Sequence, residues 1–186
     1  GPNDPYTLRL LDVLAQHDVK ATFFMIGKYV RQRPDIVKKV ADAGHVIGNH
    51  TETHPNLIFR ARAELEKELR DCRNALAEVL PQHSNLFRPP FGGRRPVTLR
   101  TVRAEGLLPI LWSVTCFDWK DTSTDRIERH ALRQIKGGDV VLLHDGGHGQ
   151  MCTDRSPTVE ATGLLIRRYK DQGFAFVTIP EMMKQS

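Results

Sequence analysis

No run of about eighteen consecutive apolar residues occurs in this chain, so no segment of it reads as a membrane-spanning helix. Cysteine is scarce as well. The three present, Cys72, Cys116 and Cys152, are odd in number and widely spaced, which excludes a disulfide framework and a CxxC metal knuckle and leaves the redox compartment open. Internal repeats, low-complexity tracts and linker-like stretches are missing. Aromatic residues make up only 7% and do not interleave with the basic ones. The net charge of +5 therefore reads as solvated helix faces (Arg60, Arg62, Arg94, Arg95, Arg126, Arg129, Arg167, Arg168) rather than a nucleic-acid surface. A signal-peptide pattern is also lacking, but the chain opens without Met on Gly1-Pro2-Asn3-Asp4, as a processed chain or a piece of a longer one would.

What is there suits a globular domain: 186 residues, 40% hydrophobic and 26% charged. The hydrophobic pattern alternates between two periods. Leu8 to Leu14 is spaced as a helix, Ala21 to Ile26 reads as a buried strand ending at Gly27, and Pro34 to Ala43 as a helix closed by Gly44. Val46 to Gly48 is a short strand. Arg62 to Leu80 is a long amphipathic helix with Leu65, Leu69, Cys72, Leu76 and Val79 on one face. Strands are expected at Leu86–Arg88, Leu107–Val114, Asp139–His144 and Phe174–Ile179, and helices at Val97–Glu105, from Ser123 to Ile135, and Thr158–Gln172. Such alternation implies an α/β fold of about six parallel strands joined by helical crossovers, as an open sheet or a barrel.

In parallel α/β folds, functional residues collect at the C-terminal ends of strands. The polar residues expected there are His50, Thr51 and His54, then Arg88 with Pro89 to Gly92, then Asp118 and Trp119, then His144 and Asp145, all facing one rim. His50 and His54 stand four apart in VIGNHTETHPN. Alone the pair reads as polar turn residues. At a strand end, in this company, two imidazoles read as metal ligands. His144 closes an apolar strand and suits acid–base work, with Asp118 to orient it. Arg88, beside two prolines, is a fixed cation suited to gripping a carboxylate. His148 and Cys152 in the glycine-rich loop lack a third ligand, and His17, His45, His83 and His130 read as solvated.

The stretches GPNDPYT (1–7), KATFFMIG (20–27), GHVIGNHTETHP (44–55), FRPPFGG (87–93), LWSVTCFDW (111–119) and VVLLHDG (140–146) together resemble the polysaccharide deacetylases, carbohydrate esterase family four, over nearly the whole chain. The resemblance implies a distorted (β/α) barrel and one catalytic domain over 1–186. It implies a hydrolase removing acetyl groups from N-acetylglucosamine polymers, of peptidoglycan or chitin type, with acetylxylan as the alternative substrate. One divalent metal is implied, zinc first, with cobalt, nickel or manganese as alternatives. His50 and His54 are then metal ligands, braced by Thr51. His144 is the general acid, tuned by Asp118. Arg88 holds the catalytic base, and the Phe91 N–H meets the oxyanion. Leu142 lines the acetyl pocket, and Trp119 joins the substrate-binding residues. An acetylated glycan is the expected partner, and the cell envelope or exterior the expected location. The family's opening motif, TFDDGP, is present only from its Gly-Pro, as Gly1-Pro2. The two aspartates and first strand that would precede it lie outside residues 1–186, so a chain truly lacking them is expected to have little activity and weak metal retention. Phe91 replaces a commoner Tyr, and Thr115 stands near where many relatives carry an acid. A degenerate, non-catalytic carbohydrate-binding domain is the reading from another class.

Overall fold

The computed structural model describes residues 1–120 and 123–185. In chain order the elements begin with α1 (Tyr6–Gln16), β1 (Thr22–Met25), α2 (Gly27–Gln32), α3 (Pro34–Asp42), β2 (Val46–Asn49), α4 (Arg62–Val79), β3 (Leu86–Phe87) and α5 (Pro96–Ala104). They continue with β4 (Leu108–Pro109), β5 (Val114–Thr115), α6 (Thr124–Leu132), β6 (Val141–Leu142), α7 (Ser156–Asp171) and α8 (Ile179–Lys184). The chain divides into two compact units, one of Gly1–Pro2 with Phe23–Leu111, the other of Asn3–Thr22 with Trp112–Ser186.

The first unit is built on a sheet in the order β1-β2-β3-β4. β3 runs parallel to both neighbours, with Asn49 opposite Phe87 and Leu86 opposite Leu108. Strands buried this way need apolar side chains, and Phe23, Met25, Ile47, Leu86 and Phe87 are all buried. α4 covers the sheet with the i, i+4 face that its sequence spells out: Leu65 and Leu69 pack with Leu57, Phe87, Val102 and Leu107. Each such fully buried side chain contributes about 1.5–3 kcal/mol. Gly48 is required here, because a Cβ would stand 2.8 Å from the Phe24 ring and 2.9 Å from the Leu86 carbonyl. Gly27 is likewise constrained, because a Cβ there would stand 2.9 Å from the Cα of Cys72 on α4 and 2.1 Å from a Glu52 carboxylate oxygen.

In the second unit β5 and β6 pair in parallel, Val114 against Val141 and Thr115 against Leu142. Its core is Val114, Cys116, Ile127, Ala131, Ala161, Leu165 and Tyr169, closed by Ile135, Val141, Leu143, Phe174 and Phe176.

The α/β class and the parallel strands agree with the sequence reading, and three details differ. Leu107–Val114 is not one strand. The Ile110 N–H makes the last bond to Phe87, and Ser113 and Val114 then donate to Val140 in a different sheet. Pro109, between the two residues that donate to β3, has no N–H to offer on the outer edge of β4. The expected strand Phe174–Ile179 does not form. Its apolar alternation is satisfied by packing Phe174 and Phe176 onto the core, and Thr178 then caps α8 through Glu181. The helix α2, in GKYVRQ, is too short for periodicity to reveal.

Candidate functional site

Two clusters carry the residues singled out above. In the first unit, β2 ends at Asn49 and the chain turns through His50 to His54. Asn49 organises the turn: its side chain donates to Leu69 of α4 at 2.9 Å and accepts from the Thr51 N–H at 2.9 Å. Thr51 does brace the loop. Its hydroxyl bonds the His50 carbonyl and accepts from the His54 N–H at 3.0 Å. Both Thr51 (φ 67°) and His54 (φ 61°) take the left-handed conformation that costs non-glycine residues about 1–2 kcal/mol. That strain brings the two imidazoles edge to face, ring centroids 4.7 Å apart.

His50 Nδ1 lies 2.7 Å from the Arg88 carbonyl, which can only accept, so Nδ1 carries the hydrogen and Nε2 keeps its lone pair. Burial first, then the charge of neighbouring His54, pushes the His50 pKa well below the ordinary imidazole value. A neutral histidine whose other nitrogen is anchored on a backbone carbonyl is the form in which metals are ligated. Arg88 itself is buried, donates to the Leu111 carbonyl at 3.2 Å and lies over the Phe24 ring at 4.3 Å. Burial lowers its pKa to about 10, which leaves it cationic at neutral pH. Phe91 (φ 57°) sets its exposed ring 4.8 Å from that of His54. Among the described residues no group of three His, Cys, Asp or Glu stands together as a complete ligand set. Two imidazoles so placed can supply two ligands to a divalent ion, and a stable centre takes more than two.

In the second unit the loop after β5 buries Asp118. One carboxylate oxygen accepts from the His144 N–H at 2.7 Å and the Thr158 hydroxyl at 3.1 Å; the other accepts from His144 Nδ1 at 2.8 Å. The His144 ring is thus fixed in tautomer and direction, with Nε2 as the atom able to exchange a proton. Trp119 packs edge-on against it, centroids 5.3 Å apart, and Phe117 (φ 55°) leans on Trp119 at 5.4 Å. Leu142 lies in β6 and is buried.

Arg155 has no sequence signal, because a lone arginine marks no motif. It is buried, and its guanidinium donates to the carbonyls of Asp118 (2.9 Å) and Gly146 (3.2 and 3.3 Å), tying together the two loops that present Asp118 and His144. His45, which the sequence reads as solvated, is buried, its ring against Phe23 at 5.3 Å, because it leads directly into β2.

The family profile described as Polysaccharide deacetylase matches residues 1–110. The chain belongs to the polysaccharide deacetylase family. It is 38% identical to a peptidoglycan-N-acetylglucosamine deacetylase of Bacillus cereus, over 99% of this chain and 84% of that protein. It is 39% identical to a chitooligosaccharide deacetylase of Bradyrhizobium, over 98% of this chain and 86% of that protein. Among solved structures it is similar to a protein of Bacillus anthracis described as a carbohydrate esterase family four pseudoenzyme, with a TM-score of 0.87 and 31% identity. That match covers 95% of this chain and 60% of the solved one. A polysaccharide deacetylase is thus present both by sequence profile and by fold.

Proposed function

We propose that this polysaccharide deacetylase removes acetyl groups from N-acetylglucosamine-containing glycans, of peptidoglycan or chitin type, and acts at the cell envelope or outside it. The named activities of its relatives support this, and residues 1–186 are read as belonging to one catalytic domain. The observation that carries the reading is His50, buried, neutral and anchored through Nδ1 on the Arg88 carbonyl, which leaves Nε2 with its lone pair, its ring edge to face with that of His54.

In this reading His50 and His54 hold one divalent ion, zinc first, with cobalt, nickel or manganese as alternatives, and a carboxylate from outside the described residues completes the set. When bound, such an ion polarises the acetyl carbonyl and lowers the pKa of a water. Arg88 is the fixed cation that orients the carboxylate base taking the water proton. The Phe91 N–H stabilises the developing oxyanion. The water oxygen bonds to the acetyl carbon, the carbon–nitrogen bond breaks, and His144 Nε2 gives its proton to the leaving nitrogen, releasing acetate and a free amine. Asp118 holds His144 for that donation and offsets the imidazolium charge. Leu142 contacts the acetyl methyl and Trp119 the sugar.

A metal titration of the full chain tests the ligand pair. Micromolar zinc or cobalt binding that His50→Ala abolishes is expected. Parallel assays on chitin oligomers, peptidoglycan and acetylxylan test the substrate, and turnover of acetylxylan alone would refute the N-deacetylase reading. A second reading, a non-catalytic domain that only binds glycan, is favoured by the likeness to the solved pseudoenzyme and by the lack of a third ligand among the described residues. Absence of both metal binding and turnover would select it.

A further inference from the structure

The loop that follows His144 is wound around one buried side chain from the other end of the sequence. Asn3 is 1% exposed. Its Nδ2 donates to the Asp145 carbonyl at 2.8 Å and to the Thr153 carbonyl at 2.9 Å, and its Oδ1 accepts from the Cys152 N–H at 2.7 Å. Both amide hydrogens and the amide oxygen are thereby used. Thr7, fully buried, locks the arrangement. Its hydroxyl accepts from the Asn3 N–H at 2.8 Å and donates to the Asp145 carboxylate at 2.6 Å.

The loop's own sequence is shaped to this peg. A Cβ on Gly146 would lie 2.8 Å from the Asn3 Cβ, and one on Gly147 would lie 2.4 Å from the Thr153 hydroxyl, so both positions exclude a side chain. Cys152 is held left-handed (φ 63°) where its N–H meets Asn3. Asp145 is the residue next to His144. His144 is therefore gripped on one side by Asp118, through its N–H and its ring, and on the other through Asp145 by Asn3 and Thr7.

We infer that Asn3 and Thr7 form a clasp and are positioning residues for His144. Neither needs to touch substrate; they fix the backbone on which the ring stands. The inference rests on the reading of His144 as the proton donor. Without the clasp the loop keeps the Arg155 bonds to the Gly146 carbonyl but loses its ties at Asp145, Cys152 and Thr153, and a displacement of about 1 Å at a donor can cost as much as 100-fold in rate.

The test uses the full chain and three variants. Thr7→Val keeps the shape and removes the hydroxyl, Thr7→Ser restores it, and Asn3→Ala removes the peg. Two readouts need no turnover: the low-field proton resonance of the hydrogen-bonded His144 Nδ1–H, and exchange of the Cys152 amide hydrogen. Thr7→Val and Asn3→Ala are expected to broaden or lose the resonance and to speed Cys152 exchange about tenfold or more, while Thr7→Ser matches the parent. With an N-acetylglucosamine oligomer, Thr7→Val should lower kcat about tenfold with KM within about twofold, a split that uniform destabilisation does not produce. Should Asn3→Ala fail to fold, the Thr7 pair decides. A Thr7→Val protein with parental resonance and exchange overturns the clasp, as does one that loosens the loop yet keeps a parental kcat while His144→Ala is inactive. If His144→Ala itself turns over normally, the proton-donor reading fails, and the resonance and exchange alone judge the clasp.

Discussion

Asp118 is the residue whose replacement most directly tests the second cluster. Its carboxylate is buried, 1% exposed, and accepts three hydrogen bonds: from the His144 N–H, from His144 Nδ1 and from Thr158. Asp118→Ala deprives three donors at once. A buried donor left without an acceptor costs about 1–3 kcal/mol. The partly exposed His144 ring can recover water, whereas Thr158 is buried, so the three losses do not add fully. The expected destabilisation is about 2–4 kcal/mol. Asp118→Asn keeps the volume but turns one acceptor into a donor. If the amide oxygen serves the His144 N–H and Thr158, its NH2 faces His144 Nδ1, and the ring must move its hydrogen to Nε2. Stability should then fall by only about 1–2 kcal/mol, while kcat drops by a factor on the order of 10²–10⁴ because the wrong tautomer is presented. Urea unfolding followed by tryptophan fluorescence, with Trp119 against the His144 ring, reads the stability. An Asp118→Ala protein within about 0.5 kcal/mol of the parent, or an Asp118→Asn protein that keeps the Nδ1–H resonance, would refute the reasoning.

The cysteines divide by burial. Cys72 and Cys116 are buried with thiol pKa values pushed up to about 12 by desolvation, and Cys152 is exposed, so a thiol reagent at pH 8 should titrate one group in the native protein and all three in denaturant. For Cys116 the folded value lies above its ordinary 9.0, so the stability from burying the neutral thiol is complete below that pH and is lost as pH rises toward about 12. The loss approaches about 1.4 kcal/mol per pH unit, and Cys116→Ala should show a flatter alkaline stability profile; identical profiles would contradict this. Gly48→Ala must displace either the Phe24 ring or the β3 backbone and should cost about 1–3 kcal/mol in a denaturation experiment. Arg155→Met removes the donors to the Asp118 and Gly146 carbonyls. It should lower stability by about 1–3 kcal/mol and speed hydrogen exchange across residues 144–153, with exchange at β2 unchanged as the internal control.

Much of the fold could be read in advance because its signals are local. The amphipathic face of α4 and the apolar runs at β1 and β2 are periodicities, and Pro34 and Gly44 punctuate α3 by their own backbone limits. The errors fall where local pattern and ladder formation separate. Phe174 and Phe176 alternate like a strand but pack on a core instead. Leu107–Val114 is apolar throughout, yet its two ends bond to different sheets. At the candidate site, residue types marked His50, His54, Arg88, Asp118 and His144. No spacing rule could mark Arg155 or Asn3, whose partners are remote in sequence.

By itself the sequence determined which residues have chemistry to offer and which elements present them, because side-chain type and backbone propensity are properties of short stretches. It also determined family membership, through motifs spread over the chain. The tertiary structure alone decided the states of those residues. His50 is neutral, with its lone pair on Nε2, because Arg88 just after β3 supplies a carbonyl to Nδ1 and burial disfavours the charged form. His144 presents Nε2 rather than Nδ1 because Asp118 holds the Nδ1 edge of its ring. Asn3 became a structural peg because a loop about 140 residues away in the chain closes on it. Hydrogen-bond direction, tautomer and burial arise only when distant segments meet, and they turn a set of reactive residue types into ordered ones.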